Sequence, residues 1–536
     1  MAKPSLQHDP SSSRASSQAS SSGGPSFFGA VRQIGVLTAI SRVLGFGRDV
    51  VLATTIGAGP IADAFFVAFK LPNLFRRLTA EGAITNAFLP AYAKARQQGG
   101  ESAAAHLAEE IQITLLWGLV ALTFVMEFTM PYVISILAPG FTAKDGRAET
   151  AIMLARLTIP YLPMISLVAF WAALTNANNR FLGGAAAPII LNIMLMLGAI
   201  IGSLSASFEA MPVAVAVPIA GIFQMLLMRR MLGAIDKKPR WGFWPKVSAA
   251  GRAMWRKFWA AALGAGGMQL NLLVDTILAS LLPVGAISSL YYADRIAQLP
   301  LGVIGIALGT ALLPRLSRLE AEGKPEDVRA VIGRGLRLGL FFALPAMVGA
   351  ILLAEPIISG LFGYGAFSVA MITPTAQVLM AYALGIPFFV MAKIFQPAFY
   401  AAEDPQTPLK ISIFTVIFNL GASLILMQYL GAAGLALATA TASMLSVLIM
   451  MTILYRRARF ELKGDGTIWK TIIATILMGL ALYFSRPFIT SMMSGMGFIQ
   501  DALILLSLMI LGTIVFFTAA FLIGALPKDM CRSLRQ

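Results

Sequence analysis

Apolar runs of about 20 residues follow one another along nearly the whole of this 536-residue chain, separated by short polar loops. No other feature restricts the fold as strongly. In hydrocarbon every backbone N–H and C=O has to be paired internally, and these Leu/Ala/Ile/Met/Gly runs are too long and too non-alternating to be barrel strands, so they have to be helices. A mean hydropathy of +0.78 with 12% charged residues excludes a soluble enzyme. The expected fold class is an all-α polytopic membrane protein of about 14 transmembrane helices, two six-helix lobes in parallel pseudo-repeat plus two C-terminal helices.

The expected spans are 29–57, 61–93, 111–137, 150–176, 184–206, 210–228, 258–282, 285–314, 338–362, 372–400, 408–428, 431–455, 468–488 and 499–526. Of the 41 Lys and Arg, about 30 then fall on one side, three on the other (Lys144, Arg147, Arg486) and eight within spans. Cytoplasmic loops carry the Lys/Arg excess, so both termini are expected inside. Residues 1–26 hold ten serines with Gly23, Gly24 and Pro25, the composition of a disordered cytoplasmic tail and not of a signal peptide. The expected organisation is this tail, an N-lobe over 27–228, a basic cytoplasmic linker over 229–257, a C-lobe over 258–457, and two helices with the C-terminal tail over 458–536. The linker carries nine basic residues against Asp236, which topogenesis explains, with contact to membrane lipids as the alternative. The net charge of +16 therefore implies no nucleic acid. Cys531 is the single cysteine, and the two histidines lie outside the apolar runs, so an intrachain disulfide, a thiolate metal cluster and a histidine proton relay inside the membrane are excluded.

The stretch DVVLATTIGAGPIADAFF, beginning at Asp49, aligns without a gap on DTILASLLPVGAISSLYY, beginning at Asp275, with five identities. Both copies close on an aromatic pair, Phe65-Phe66 and Tyr291-Tyr292. A repeat of six helices re-enters the membrane in the same sense, which gives parallel repeats, typical of transporters with a central site between the halves.

Charge is concentrated where it should be expensive. A mid-membrane Lys or Arg costs about 2.5–3.5 kcal/mol on insertion scales unless it faces protein or water. The first two spans nonetheless carry Arg42, Arg48, Lys70, Arg76 and Arg77, opposed locally by Asp49, Asp63 and Glu81. The second span, at 33 residues, is about 50 Å long and is expected to tilt, protrude or kink at Pro72. Asp63, Lys70 and Arg77 share one helical stripe and Arg76 lies off it, but a kink leaves open which arginine faces the interior. Pairing as structural bridges is as good a reading as substrate contact for Arg77, Asp63 and Asp294. For Arg42, Arg48, Arg76 and Arg295, too few local carboxylates exist, and a guanidinium offers a planar fork of donors suited to phosphate. The expectation is a hydrated cationic chamber for a bulky anion.

The segments SRVLGFGRDVVLATTIGAGPIADAFFVAFKLPNLFRRLTAEGAITNAFLPAYAKAR (from Ser41) and YYADRIAQLPLGVIGIALGTALLP (from Tyr291) closely resemble the MurJ (MviN) lipid II flippase family, over about residues 29–526. The resemblance implies the multidrug/oligosaccharidyl-lipid/polysaccharide exporter fold. It also implies transport of lipid II, the undecaprenyl diphosphate glycopeptide precursor of peptidoglycan, from the inner to the outer leaflet of the bacterial cytoplasmic membrane, by a chain expected to act as a monomer. By the same resemblance the substrate-binding positions are Arg42, Arg48, Arg76 and Arg295, with Asp49, Asp63, Asn73, Glu81 and Ser288; Gln298 departs from a glutamate found in some members. The last two helices would form a groove for the lipid tail. A Na⁺ site would group Asp275 with Asn419 and Thr439, Ser423 standing where a second carboxylate would strengthen it.

No cofactor is required on this reading; Na⁺ or H⁺ and the membrane potential are the expected sources of coupling. A flippase for another polyprenyl-diphosphate glycan would need the same chamber. A drug/cation antiporter calls for carboxylates and aromatics where this chain has arginines. An enzyme acting on polyprenyl phosphates would want paired carboxylates or a metal motif, and no Asp-x-Asp occurs. A non-transporting scaffold would leave the buried arginines unexplained.

Overall fold

The computed structural model describes residues 27–78, 84–142, 146–178, 180–204, 210–233, 239–243, 247–461, 466–492 and 500–526. The serine-rich tail, Glu81, Lys144 and Cys531 fall outside them. Every regular element among the described residues is helical. In chain order the α-helices are α1 (Phe27–Ile56), α2 (Pro60–Leu78), α3 (Ile84–Leu137), α4 (Arg147–Thr158), α5 (Tyr161–Ala177), α6 (Leu182–Ser203), α7 (Met211–Leu232), α8 (Ala249–Ser280) and α9 (Ala286–Pro300). The series continues with α10 (Ile306–Ala321), α11 (Pro325–Leu352), α12 (Ala354–Phe362), α13 (Ile372–Ala383), α14 (Ile386–Ala401), α15 (Gln406–Leu430), α16 (Ala432–Arg456), α17 (Thr467–Met492) and α18 (Gln500–Ile523).

Local chemistry accounts for several boundaries. Ser248 caps α8 by accepting from the Gly251 N–H at 3.0 Å. Pro325 opens α11 with Glu326 and Asp327 in its first turn, and Arg229 and Arg230 close α7, both favourable to the helix dipole. Gly99 and Gly100 leave helical geometry and divide α3 into two helices. Within the 33-residue second span, α2 runs helically through Pro72 as far as Leu78 and α3 is helical from Ile84; residues 79–83 lie outside the described residues.

Ten helices among the described residues are long and apolar enough to cross a membrane. They carry large lipid-type side chains outward, such as Phe128, Tyr429 and Phe521. The four other expected spans coincide with α1, α2, α8 and the α9–α10 pair, the helices that hold Arg42, Arg48, Lys70, Asp275 and Arg295. The described residues thus form an all-helical, multi-pass membrane protein.

Helices α1 to α7 pack among themselves (α1 on α6, α6 on α7, α2 on α4, α3 on α5), and so do α9 to α16 (α13 on α9 and α16, α11 on α14, α15 on α16). The α17–α18 pair docks through α17 on α11 and α18 on α12, around Phe341, Leu482 and Phe516. We call the end where α1 begins the near end and the end where it finishes, at Ile56, the far end. At the far end the two bundles share one core, in which Phe65, Phe66 and Ala138 join Ala286, Tyr292, Phe362 and Phe367. Toward the near end the second bundle has a core of its own around Leu316, Val331, Ile394, Phe395 and Leu454. The first turns of α8 stay with the first bundle, through Met254 and Phe258.

The far-end seam is also hydrogen-bonded. Tyr292 donates its hydroxyl to the Gly57 carbonyl at 3.0 Å, and the Ala366 N–H donates to the Thr54 carbonyl at 2.8 Å. Gly57 adopts φ +70° with the Ala366 carbonyl against it, so a Cβ there meets both left-handed strain and backbone. Gly57→Ala is expected to lower stability by about 1–2 kcal/mol from strain alone, read as a fall in thermal unfolding temperature of the purified protein. A similar change at Gly59, where a Cβ meets open space, serves as the control.

Candidate functional site between the bundles

The aromatic pairs that close the two repeats meet face to face. Phe66 stacks on Tyr291 at 3.9 Å between ring centroids and lies edge-on to Tyr292 at 5.4 Å. Directly beside this stack, one polar cluster bridges the bundles. Arg48 donates through Nε (3.0 Å) and Nη2 (2.6 Å) to Asp49 Oδ1, through Nη1 to Asn192 Oδ1 (3.0 Å), and through Nη2 to the Tyr291 hydroxyl (3.2 Å). Tyr291 donates to Asp49 Oδ1 at 2.9 Å. From the second bundle, Arg295 places Nε 3.5 Å from Asp49 Oδ2 and its guanidinium over the Tyr291 ring. Asn192 is itself fixed, donating to the Ser41 carbonyl at 3.0 Å. Two guanidinium groups therefore converge on one buried carboxylate.

A cavity of about 250 Å³ opens next to this cluster, lined by Lys70, Asn73 and Arg77 from α2, Asp275 and Thr276 from α8, Tyr291, Asp294, Arg295 and Gln298 from α9, and Thr439 from α16. Lys70 donates to Thr276 Oγ1 across the bundles, with Asp275 and Asp294 as its opposite charges. Gln298 donates to Asp294 at 2.5 Å. Arg42 reaches across from α1 to the carbonyl of Gly302, 2.7 Å, in the π-helical turn Leu301–Gly305 that follows α9. Around the cavity and its flanking cluster, the cations Arg42, Arg48, Lys70, Arg77 and Arg295 outnumber the carboxylates Asp49, Asp275 and Asp294 by two. Neutralisation is partial.

The residues expected from sequence are distributed unevenly. Arg48, Asp49 and Arg295 are brought together; Asn73 lines the cavity; Arg42 stands on its near-end side. Arg76 is displaced in favour of Arg77: Lys70 and Arg77 share a stripe and line the cavity, whereas Arg76, one residue on, donates Nε to Asn73 Oδ1 at 3.0 Å and acts on the side of Tyr161. Asp63 and Ser288 lie outside the cavity lining, in the far-end seam. Fully buried, Asp63 accepts from the Gly285 N–H (2.7 Å), the Ser288 N–H (2.9 Å) and the Ser288 hydroxyl (2.8 Å), with Arg147 Nη1 at 3.6 Å. A carboxylate on the first turn of α9 satisfies N–H groups that the helix cannot pair itself. Glu81 is outside the described residues.

Asp275 and Thr439 line the cavity, and Asn419 donates Nδ2 toward Asp275 Oδ1 at 3.5 Å. Thr439 spends its proton on the Leu435 carbonyl, which leaves its oxygen able to accept, and Ser423 Oγ is buried with no hydrogen-bond partner among the described residues. This oxygen-rich set fits a hard monovalent cation. Among the described residues no three His, Cys, Asp or Glu side chains gather as a metal cluster. Sequence reasoning passed over Tyr291 and Asn192 as site residues. The signal for Tyr291 was its place four residues before Arg295; Asn192 offered none.

Asp63→Asn removes the charge and one acceptor from the seam and is expected to loosen it. With Cys531→Ser and Ala279→Cys as background, a membrane-impermeant maleimide added at the far face should label at least several-fold faster in the Asp63→Asn protein. Equal labelling rates would count against Asp63 as the fastener.

Comparison with known proteins agrees with this geometry. A family model described as "Lipid II flippase MurJ" matches residues 52–523. A relative from Rhizobium tropici, named probable lipid II flippase MurJ, is 34% identical over 510 residues, covering 93% of this chain and 95% of its own. One from Burkholderia cenocepacia, named lipid II flippase MurJ, is 32% identical over 437 residues, 81% of this chain and 85% of its own. Among solved structures, a lipid II flippase MurJ in an inward closed conformation superposes with a TM-score of 0.77 at 24% identity, over 94% of this chain and 99% of that one. An inward-facing multidrug-resistance transporter of the MATE family gives 0.66 at 15% identity, over 80% and 98%. The two structures share the fold; the family model and the relatives settle the membership, and the chain belongs to the lipid II flippase MurJ family.

Proposed function

We propose that this protein moves lipid II from the inner to the outer leaflet of the bacterial cytoplasmic membrane, with the near end facing the cytoplasm. One observation carries the reading: two guanidinium groups from opposite bundles, Arg48 and Arg295, converge on Asp49 beside a cavity whose cations exceed its carboxylates. A diphosphate matches that arrangement. It offers several oxygens to two planar forks, where Asp49 offers two, so it can take over the guanidinium groups that Asp49 and Tyr291 occupy here. Asp49 acts meanwhile as the resident counter-ion and keeps the pair together.

The cavity, at about 250 Å³, is smaller than the roughly 300–1,000 Å³ that a drug-sized ligand fills. It can receive a diphosphate; the sugar and peptide need the bundles to part at the near end, where each keeps its own core. Closing there and opening the seam held by Asp63 and Tyr292 would then deliver the head group outward, while the polyprenyl tail stays in hydrocarbon. Asp275, Asn419, Ser423 and Thr439 are the residues that would hold Na⁺, which would supply a driving gradient when bound. Lys70, beside Asp275, is the competing positive charge.

Arg42→Ala and Arg295→Ala are each expected to abolish growth support in cells depleted of the native protein, at normal membrane abundance, with lipid II accumulating in the inner leaflet. Full rescue by either would overturn the reading.

Return of an empty, net-positive site is favoured by an inside-negative potential, worth about 2.3 kcal/mol per charge per 100 mV. Transport in reconstituted vesicles should slow on depolarisation; indifference to an ionophore would remove this step.

A further inference from the structure

One intramembrane cation has no place in the cavity described above. Lys393 lies within the apolar stretch Val369–Ala401, is exposed, and makes no hydrogen bond or ion pair with a described residue. A lysine at such depth costs about 2.5–3.5 kcal/mol unless water or a ligand attends it. Its surroundings say which way it faces. A methyl group placed on Gly305 would meet Lys393 Cγ at 3.4 Å, and one on Gly309 would meet the Lys393 carbonyl oxygen at 3.3 Å. A methyl group on Gly302 would meet Arg42 Nη1 at 3.1 Å. The Arg42 guanidinium of one bundle and the backbone and aliphatic stem of Lys393 in the other thus approach one short run of glycines spanning the π-helical turn and the start of α10. Because Arg42 comes from the opposite bundle, the space beside that run is the cleft between the bundles and not the lipid.

Along α9 and α10 the positive groups then succeed one another toward the near end: Arg295, Arg42 at Gly302, and Lys393 at Gly305–Gly309. Seven helical residues rise roughly 10 Å, so successive groups are within about a Debye length of each other. An anion at any one of them feels the next.

We propose that Lys393 is a loading residue for the anionic, phosphate-bearing part of the substrate, the first fixed cation it meets from the near end before transfer to Arg42 and then to the Arg48–Arg295 pair. This rests on the flippase reading above. The Gly305 and Gly309 backbone, without side chains, leaves the ammonium access to the cleft. An ammonium suits the task better than a guanidinium, since a compact, well-hydrated point charge attracts phosphate without clamping it.

The test uses the full chain in lipid nanodiscs, titrated with fluorescent lipid II, and the same protein in a vesicle flipping assay. In low salt, Lys393→Gln should raise the half-saturating concentration about three- to tenfold, with a smaller effect on maximal rate. The gap should narrow to within about twofold near 0.5 M salt, as screening shortens the reach of the charge. Lys393→Arg should restore low-salt binding to within twofold of the unaltered protein. Lys393→Met serves as a second neutral form if the glutamine variant does not fold. Equal half-saturation in low salt, or a loss that salt does not narrow and arginine does not restore, would overturn the loading role while leaving the flippase reading intact. An unaltered protein that binds no lipid II would overturn both.

Discussion

The organisation of this molecule depends on positive charge held inside an apolar bundle by carboxylates of the opposite half. Asp49 on α1 takes Arg295 of α9, and Asp275 on α8 faces Lys70 of α2. Asp49 and Asp275 open the two aligned stretches of sequence, and each faces a cation across the bundles. Each pair crosses between bundles. A buried pair contributes little net stability because its desolvation offsets the attraction, yet loss of one partner costs several kcal/mol. Such pairs are therefore better suited to specifying how the halves meet than to fastening them permanently. An incoming phosphate that replaces a carboxylate changes that specification, which is how binding can be felt by the whole assembly.

Apolar packing makes the two ends unequal. A continuous core with an embedded carboxylate, Asp63, joins the bundles at the far end; separate cores serve them toward the near end. The cavity lies where one regime gives way to the other. Its lining carries more cations than acids, and α2, α8 and α9 supply all of that charge. The polar cluster and the stacked Phe66–Tyr291 pair sit at the same level, so aromatic contact across the seam and charge in the cavity form one joint.

The all-helical class was readable from run length alone, since hydrocarbon admits so few backbone solutions; among the described residues ten helices, not fourteen, are long and apolar enough to span. The gathering of Arg48, Asp49 and Arg295 was readable too. That the recurring aromatic pairs stack on each other was not, because an alignment places equivalents and says nothing of contact. The choice of Arg77 over Arg76 depended on the rotation of α2, which packing against α4 and α9 determines. Asp63 read as an intramembrane charge for substrate; its partners are backbone N–H groups more than 200 residues away, which no side-chain pattern announces. Asn192 and Tyr291 were overlooked for the plainer reason that an uncharged side chain in an apolar run attracts no notice. Lys393 was passed over as a single lysine, and only its shared glycine run with Arg42 gives it a context.

The distance in sequence between these partners bears on how the chain is made. Tyr291 follows Asp49 by 242 residues, and Gly285 follows Asp63 by 222. While ribosomes are still extending the second half, Arg48 and Asp49 have each other, but α1 and α2 do not yet have the partners that α8 and α9 bring. Their residence in lipid during that interval is costly, so the insertion machinery or early neighbours such as Asn192 must shelter them until α8 and α9 emerge. The order of synthesis therefore bears on the charge of those first two helices as well as the finished fold does.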